Sequence, residues 1–142
     1  MNNNVFVVNG VSNVGKTDTI KLTCDLLVST YPDATKSHHK RGKERHEIIT
    51  INKIKIGIES MGDPGSRLPK SLIFFKDNNC QIIICATRTR GATVDAVSNL
   101  GSDYPAKWYR HLPVEGGAKE QQRRNEGTAK KIAEDVIKLI EA

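Results

Sequence analysis

Eight residues near the amino terminus, Gly10-Val11-Ser12-Asn13-Val14-Gly15-Lys16-Thr17, constrain this chain more than any other feature it carries. They read G-x-x-x-x-G-K-T. Before them, Val5-Phe6-Val7-Val8 is a short apolar run, rich in β-branched residues, that suits a buried strand. After them, Ile20, Cys24, Leu27 and Tyr31 recur at helical spacing, with Leu26 and Val28 widening the stripe. Strand, glycine-rich turn and helix in that order form the context in which such a turn wraps a phosphate group.

The chemistry follows from the residue types. Gly10 and Gly15 allow backbone conformations and close approaches that a Cβ would block. The amides from about Asn13 to Thr17 can then converge on phosphate oxygens at the positive end of the helix dipole. Lys16 would set an ammonium against the β- and γ-phosphates, and the Thr17 hydroxyl would ligate Mg²⁺. Ser12 and Asn13 add small polar groups at the crest. Gly10, Ser12, Asn13, Val14, Gly15, Lys16 and Thr17 are therefore the expected nucleotide-binding set.

Length and composition narrow the setting. The 142 residues fit a single domain over 1–142, with 37% hydrophobic and 27% charged residues, as in a globular protein. No apolar run approaches the ~20 residues of a membrane span, and no membrane partner is expected. Met1-Asn2-Asn3-Asn4 lacks the basic start of a signal peptide, and its apolar sequel ends after four residues. Cys24, Cys80 and Cys85 have no metal-binding spacing, which points to free buried thiols in a reducing cytoplasm. The adjacent pair His38-His39 makes a poor chelator, and no transition-metal site or Ser-His-Asp triad is legible. The net charge of +6 is unevenly spread: Lys36, Lys40, Arg41, Lys43 and Arg45 crowd residues 36–46 against one acid, Glu44.

Further along, Tyr31-Pro32-Asp33 ends the first helix and the basic stretch reads as a loop. Ile48-Ile49-Thr50-Ile51 and Ile54-Lys55-Ile56-Gly57-Ile58-Glu59 are separated by two residues, too few for a parallel crossover, so they should form an antiparallel hairpin. Ile54, Ile56 and Ile58 give the second strand one buried face. A turn-rich segment from Ser60 to Ser66 precedes a helix at about Arg67–Lys76 with Ser66 as its cap. Gln81–Ala86 reads as a central parallel strand, Ala92–Leu100 as a helix and Trp108–Leu112 as a peripheral strand. An amphipathic helix carrying Ala129, Ile132, Ala133, Val136, Ile137 and Ile140 on one face closes the chain. This order predicts an α/β fold: a three-layer α/β/α sandwich around a mostly parallel five-stranded sheet with one antiparallel hairpin strand. Ligands in such sheets sit at the carboxyl ends of the strands.

With these residues in view, the chain resembles the P-loop NTPase superfamily, whose Walker A motif Gly10–Thr17 matches at every fixed position. The antiparallel hairpin followed by a strand ending in an acid looks like the kinase–GTPase division. The resemblance implies a P-loop NTPase-like fold and an acid that holds Mg²⁺ or orients the nucleophile. Glu59 and Asp63 are the candidates, Glu59 being favoured for its place at the strand end. Guanine-specific members carry N-K-x-D after the strand equivalent to Gln81–Ala86. This chain has Thr87-Arg88-Thr89-Arg90 there, which favours ATP over GTP. Arg88 and Arg90 resemble the lid arginines of small-molecule kinases, suited to stacking on adenine or neutralising phosphate charge.

Three functions follow. The first is Mg²⁺-dependent phosphoryl transfer from ATP to a small or anionic acceptor docked near Lys36–His46, with Lys16, Glu59, Asp63, Arg88 and Arg90 as catalytic candidates and Thr17, Glu59 and Asp63 as metal ligands. The second is a switch- or motor-type NTPase in which residues 35–46 and 60–71 respond to the γ-phosphate. The third, a nucleic-acid-associated module, is the least favoured, because no aromatic residues interleave with the basic stretch to stack on bases.

Overall fold

The computed structural model describes residues 3–38 and 44–142. His39, Lys40, Arg41 and Lys43 of the basic stretch lie outside the described residues, as do Met1 and Asn2. The element order is β1 (Asn4–Asn9), α1 (Lys16–Thr30), β2 (Thr35–Ser37), β3 (His46–Ile51), β4 (Ile54–Glu59), α2 (Leu68–Asp77), β5 (Ile82–Thr87), α3 (Ala92–Ser98), β6 (Ala106–Arg110) and α4 (Ala118–Ile140).

The strands form one mixed sheet in the order β2-β3-β4-β5-β1-β6. β5 runs parallel to both β1 and β4, and β6 runs parallel to β1. β3 and β4 make the expected antiparallel hairpin, from Ile51 opposite Ile54 to His46 opposite Glu59. The sheet has six strands rather than the five expected. The extra strand, β2, pairs antiparallel with β3 inside the stretch read as a loop. Its three residues are all exposed, so it has no apolar alternation by which a sequence could announce it. Its contribution is to satisfy the backbone groups along the outer side of β3.

Period-two alternation sorts the core into two halves. On one face Phe6, Val8, Ile56, Ile58, Ile82 and Ile84 pack with Ile20, Cys24 and Leu27 of α1 and Ile132, Ala133 and Val136 of α4. On the other, Val5, Val7, Ile83 and Cys85 pack with Leu68, Leu72 and Phe75 of α2 and Val97 of α3. Helices thus cover both faces, and β5, buried along its whole length, is the continuous apolar strand its sequence predicts. Gly57 on β4 has a packing reason: a Cβ there would come within 2.4 Å of the Phe75 ring, so glycine lets α2 close onto the sheet.

Boundaries shift modestly from expectation. α2 begins at Leu68 with Arg67 as the cap residue, while the Ser66 hydroxyl accepts from the Leu68 amide at 3.3 Å. α3 ends at Ser98, and β6 occupies 106–110, so its register lies two residues earlier than expected. Cys24, Cys80 and Cys85 are buried and free. Among the described residues, no helix is long and apolar enough to cross a membrane.

Candidate functional site

The parallel strands β1, β4, β5 and β6 deliver four loops to one edge of the sheet, and antiparallel β3 brings its amino end to the same edge. A cavity of about 400 Å³ opens there, lined by Asn13, Gly15, Lys16, Thr17 and Asp18 from the first loop and α1, Glu44 before β3, Ser60 to Asp63 after β4, and Gln121 of α4.

The Gly10–Thr17 segment turns sharply between β1 and α1. Asn13 and Gly15 adopt left-handed backbone angles, φ 60° and 81°, conformations that asparagine tolerates and glycine adopts freely. α1 starts directly after Gly15, and no side chain caps its first turn. Its leading amides are therefore the kind of unsatisfied donors that take an anion. Lys16 is 7% exposed, and its ammonium donates to the Gly10 carbonyl at 2.7 Å and the Thr87 carbonyl at 3.1 Å. Among the described residues no carboxylate lies within ion-pair distance of it. Burial holds its pKa below the usual lysine value; Asp63 opposes that shift and Arg88 adds to it.

The loop is braced from behind. The Val14 carbonyl accepts from His111 Nδ1 at 3.2 Å and from Arg124 Nη2 at 2.5 Å, while Arg124 Nη1 holds the Leu112 carbonyl at 2.6 Å. Asn125, buried on α4, lies so close that a Cβ on Gly15 would come within 2.3 Å of its amide. To donate to the Val14 carbonyl, His111 must carry a proton on Nδ1. Burial, seconded by the charges of Arg124 and Lys16, lowers its pKa to about 4, against an opposing contribution from the Val14 hydrogen bond. Its Nε2 is buried without a hydrogen-bond partner among the described residues.

The expected acids separate. Asp63 lines the cavity and pairs with Arg88 at 3.0 Å, the Arg88 amide itself being fixed by the Thr93 hydroxyl. Glu59 does not line it. Its carboxylate is fully buried and takes Arg67 Nε at 2.6 Å, Arg67 Nη2 at 3.0 Å, the Ser71 hydroxyl at 2.7 Å, the Met61 amide at 3.2 Å and His46 Nδ1 at 3.1 Å. Burial alone would raise its pKa, but those hydrogen bonds outweigh it and the net shift is downward. The reason is alternation: Ile56 and Ile58 face α1 and α4, which sends Gly57 and Glu59 to the α2 side. The expectation that Glu59 serves as the favoured metal ligand and catalytic acid is corrected accordingly. Glu59, His46 and Ser71 do form a Ser-His-Glu group that the sequence did not reveal. All three are buried, and Ser71 and His46 share one Glu59 oxygen, so the group is a structural network closed to substrate.

Other expected residues scatter. Arg90 is exposed and does not line the cavity. Ser12 is exposed at the loop crest. In the basic stretch, Lys36 and Arg45 both approach the buried carboxylate of Glu47, at 3.8 and 3.4 Å, and Arg45 also pairs with Asp25. The charges of Lys36 and Arg45 are thus committed internally. Asp18 and Gln121 on the cavity wall, and Arg124 and Asn125 behind it, were not expected from the sequence, whereas Glu44 and Ser60 fall within the segments 35–46 and 60–71 expected to respond to the γ-phosphate but not as individual site residues.

Compared with protein-family models, with curated proteins and with solved structures, the chain matches none of them.

Proposed function

We propose that the chain binds a nucleoside triphosphate with Mg²⁺, ATP in preference to GTP, and transfers its terminal phosphoryl group to a small or anionic acceptor, in the manner of a P-loop kinase. The observation that carries this reading is the position of Lys16. A buried ammonium with no carboxylate partner among the described residues sits on a bend with two left-handed residues, at the start of a helix with no side-chain cap. Two carbonyls satisfy that ammonium only as neutral acceptors. A phosphate oxygen offers it a charged one, which adds the attraction of opposite charges to the hydrogen bond.

The oxygen donors on the cavity wall suit a hard cation, which takes one or two protein ligands and completes its shell with phosphate oxygens and water. The Thr17 hydroxyl and the Asp63 carboxylate are the donors expected from the sequence that line the cavity. When bound, Mg²⁺ would neutralise charge developing on the phosphates. Lys16 would hold the β- and γ-phosphates in line. Arg88, now paired with Asp63, is placed to turn toward the transferring group. The acceptor would enter from the side of Lys36–His46. Unpaired thiols accord with a cytoplasmic setting.

A switch- or motor-type hydrolase is the second reading, favoured by the turn from Ser60 to Asp63, which forms part of the cavity wall. Incubation with γ-labelled ATP, with and without a panel of nucleoside and phosphorylated acceptors, tests the reaction. Label appearing on an acceptor supports the kinase. ADP and inorganic phosphate formed at the same rate without any acceptor support the hydrolase.

A further inference from the structure

We propose that Glu44 supplies a carboxylate oxygen to the divalent cation held at Thr17, so that the cation site joins α1 to the entrance of β3 and does not use Glu59, the last residue of β4. The inference rests on the nucleotide-binding reading above and assigns a ligand that the motif does not contain.

Four oxygens from three segments meet beside the phosphate loop. Glu44 Oε2 lies 3.4 Å from Thr17 Oγ1 and 2.5 Å from Ser60 Oγ. The Ser60 carbonyl is also 3.4 Å from Thr17 Oγ1. Neighbouring oxygens on an octahedral Mg²⁺ with bonds of 2.0–2.1 Å stand about 3 Å apart. The Thr17–Glu44 pair is therefore within a small side-chain rotation of sharing one ion. The Ser60 hydroxyl accepts from the Arg45 amide at 2.6 Å, which leaves its own proton for Glu44 and fixes the carboxylate toward Thr17.

Charge bookkeeping singles out the same residue. Glu59 is neutralised by Arg67, and Asp63 by Arg88. Glu44 has no ion-pair partner among the described residues, although it stands in the most basic stretch of the chain. Glu44 is half-buried on the wall of a polar cavity and faces the Thr17 hydroxyl, where a bound cation would find its charge.

The test uses the full chain saturated with ADP, with Mn²⁺ as the spectroscopic probe and free Mn²⁺ read by electron paramagnetic resonance. ADP affinity in EDTA is measured in parallel. Glu44→Gln keeps an oxygen acceptor for Ser60, so the fold should hold and the melting temperature stay unchanged. It is expected to raise the Mn²⁺ dissociation constant at least ~10-fold without weakening metal-free ADP binding. Glu44→Asp, which keeps the charge, should recover part of the loss. Asp63→Asn serves as the comparison. Wild-type Mn²⁺ affinity in Glu44→Gln, or an equal loss of metal-free ADP binding, overturns the assignment while leaving nucleotide binding intact. A wild-type chain that binds no ADP in either condition overturns the nucleotide reading, and this assignment with it.

Discussion

Arg124 Nη2 donates to the Val14 carbonyl oxygen at 2.5 Å, tying the last helix to the crest of a loop 110 residues earlier in the chain. The second nitrogen of the same guanidinium holds the Leu112 carbonyl, so one side chain fixes the loop to the segment after β6. A hydrogen bond from a charged group contributes about 1.5–3 kcal/mol. Arg124→Met should therefore weaken triphosphate binding by ~10-fold or more through a looser loop, while Arg124→Lys restores part of it. Calorimetric titration of both variants, with melting curves alongside, separates loop order from global stability.

Gly15 offers a second check on the same brace. Its φ of 81° costs a non-glycine residue roughly 1–2 kcal/mol, and an added Cβ also meets Asn125. Gly15→Ala should lower the melting temperature and abolish phosphate binding. Adding Asn125→Gly removes the collision but not the backbone strain, so stability should return only in part. Full return in the double variant would show that the left-handed angle is not required.

The ion pair between buried Glu59 and half-buried Arg67 makes a prediction about stability rather than activity. Arg67→Met leaves a fully buried carboxylate without its forked donor, a loss of about 3–5 kcal/mol by chemical denaturation. Because the folded-state pKa of Glu59 lies below its ordinary 4.5, its contribution is present above that value and fades as the pH falls through the folded value. In Arg67→Met that acid-side loss should shrink. A variant as stable as wild type would mean that the carboxylate finds water or another cation.

His111 sets a separate acid limit. Its folded pKa of about 4 lies below the ordinary 6.5, so between these values the unfolded chain binds the extra proton. Stability is then complete above pH 6.5 and declines from there toward pH 4, by on the order of 3 kcal/mol. His111→Asn, which keeps a donor for Val14, should flatten that part of the curve. Denaturant midpoints for both proteins across pH 4–8 test it; parallel curves would contradict the assignment.

What the sequence revealed and what it hid divides along physical lines. The bend at Gly10–Thr17 was legible because glycine, lysine and threonine act through their own backbone and nearest turn. β5 was legible because a strand covered on both faces has no polar positions. β2 was not, since Thr35, Lys36 and Ser37 are exposed and their partner β3 supplies all the specificity. The Ile54, Ile56 and Ile58 alternation already implied that Glu59 faces the α2 side. Its place at the strand end does not decide which face the side chain takes. Glu44, Arg124 and Asn125 reach the loop only through the antiparallel turn of β3 and the packing of α4 on α1, which no local pattern encodes.

The most direct test of the central claim is calorimetric titration of Mg²⁺-ATP, Mg²⁺-GTP and their diphosphates into wild type and Lys16→Ala. Wild type should bind triphosphate saturably, ATP more tightly than GTP, and lose at least ~10-fold in affinity when the ammonium is removed. Equal affinity of wild type and Lys16→Ala for ATP, or no heat with either nucleotide, would contradict it.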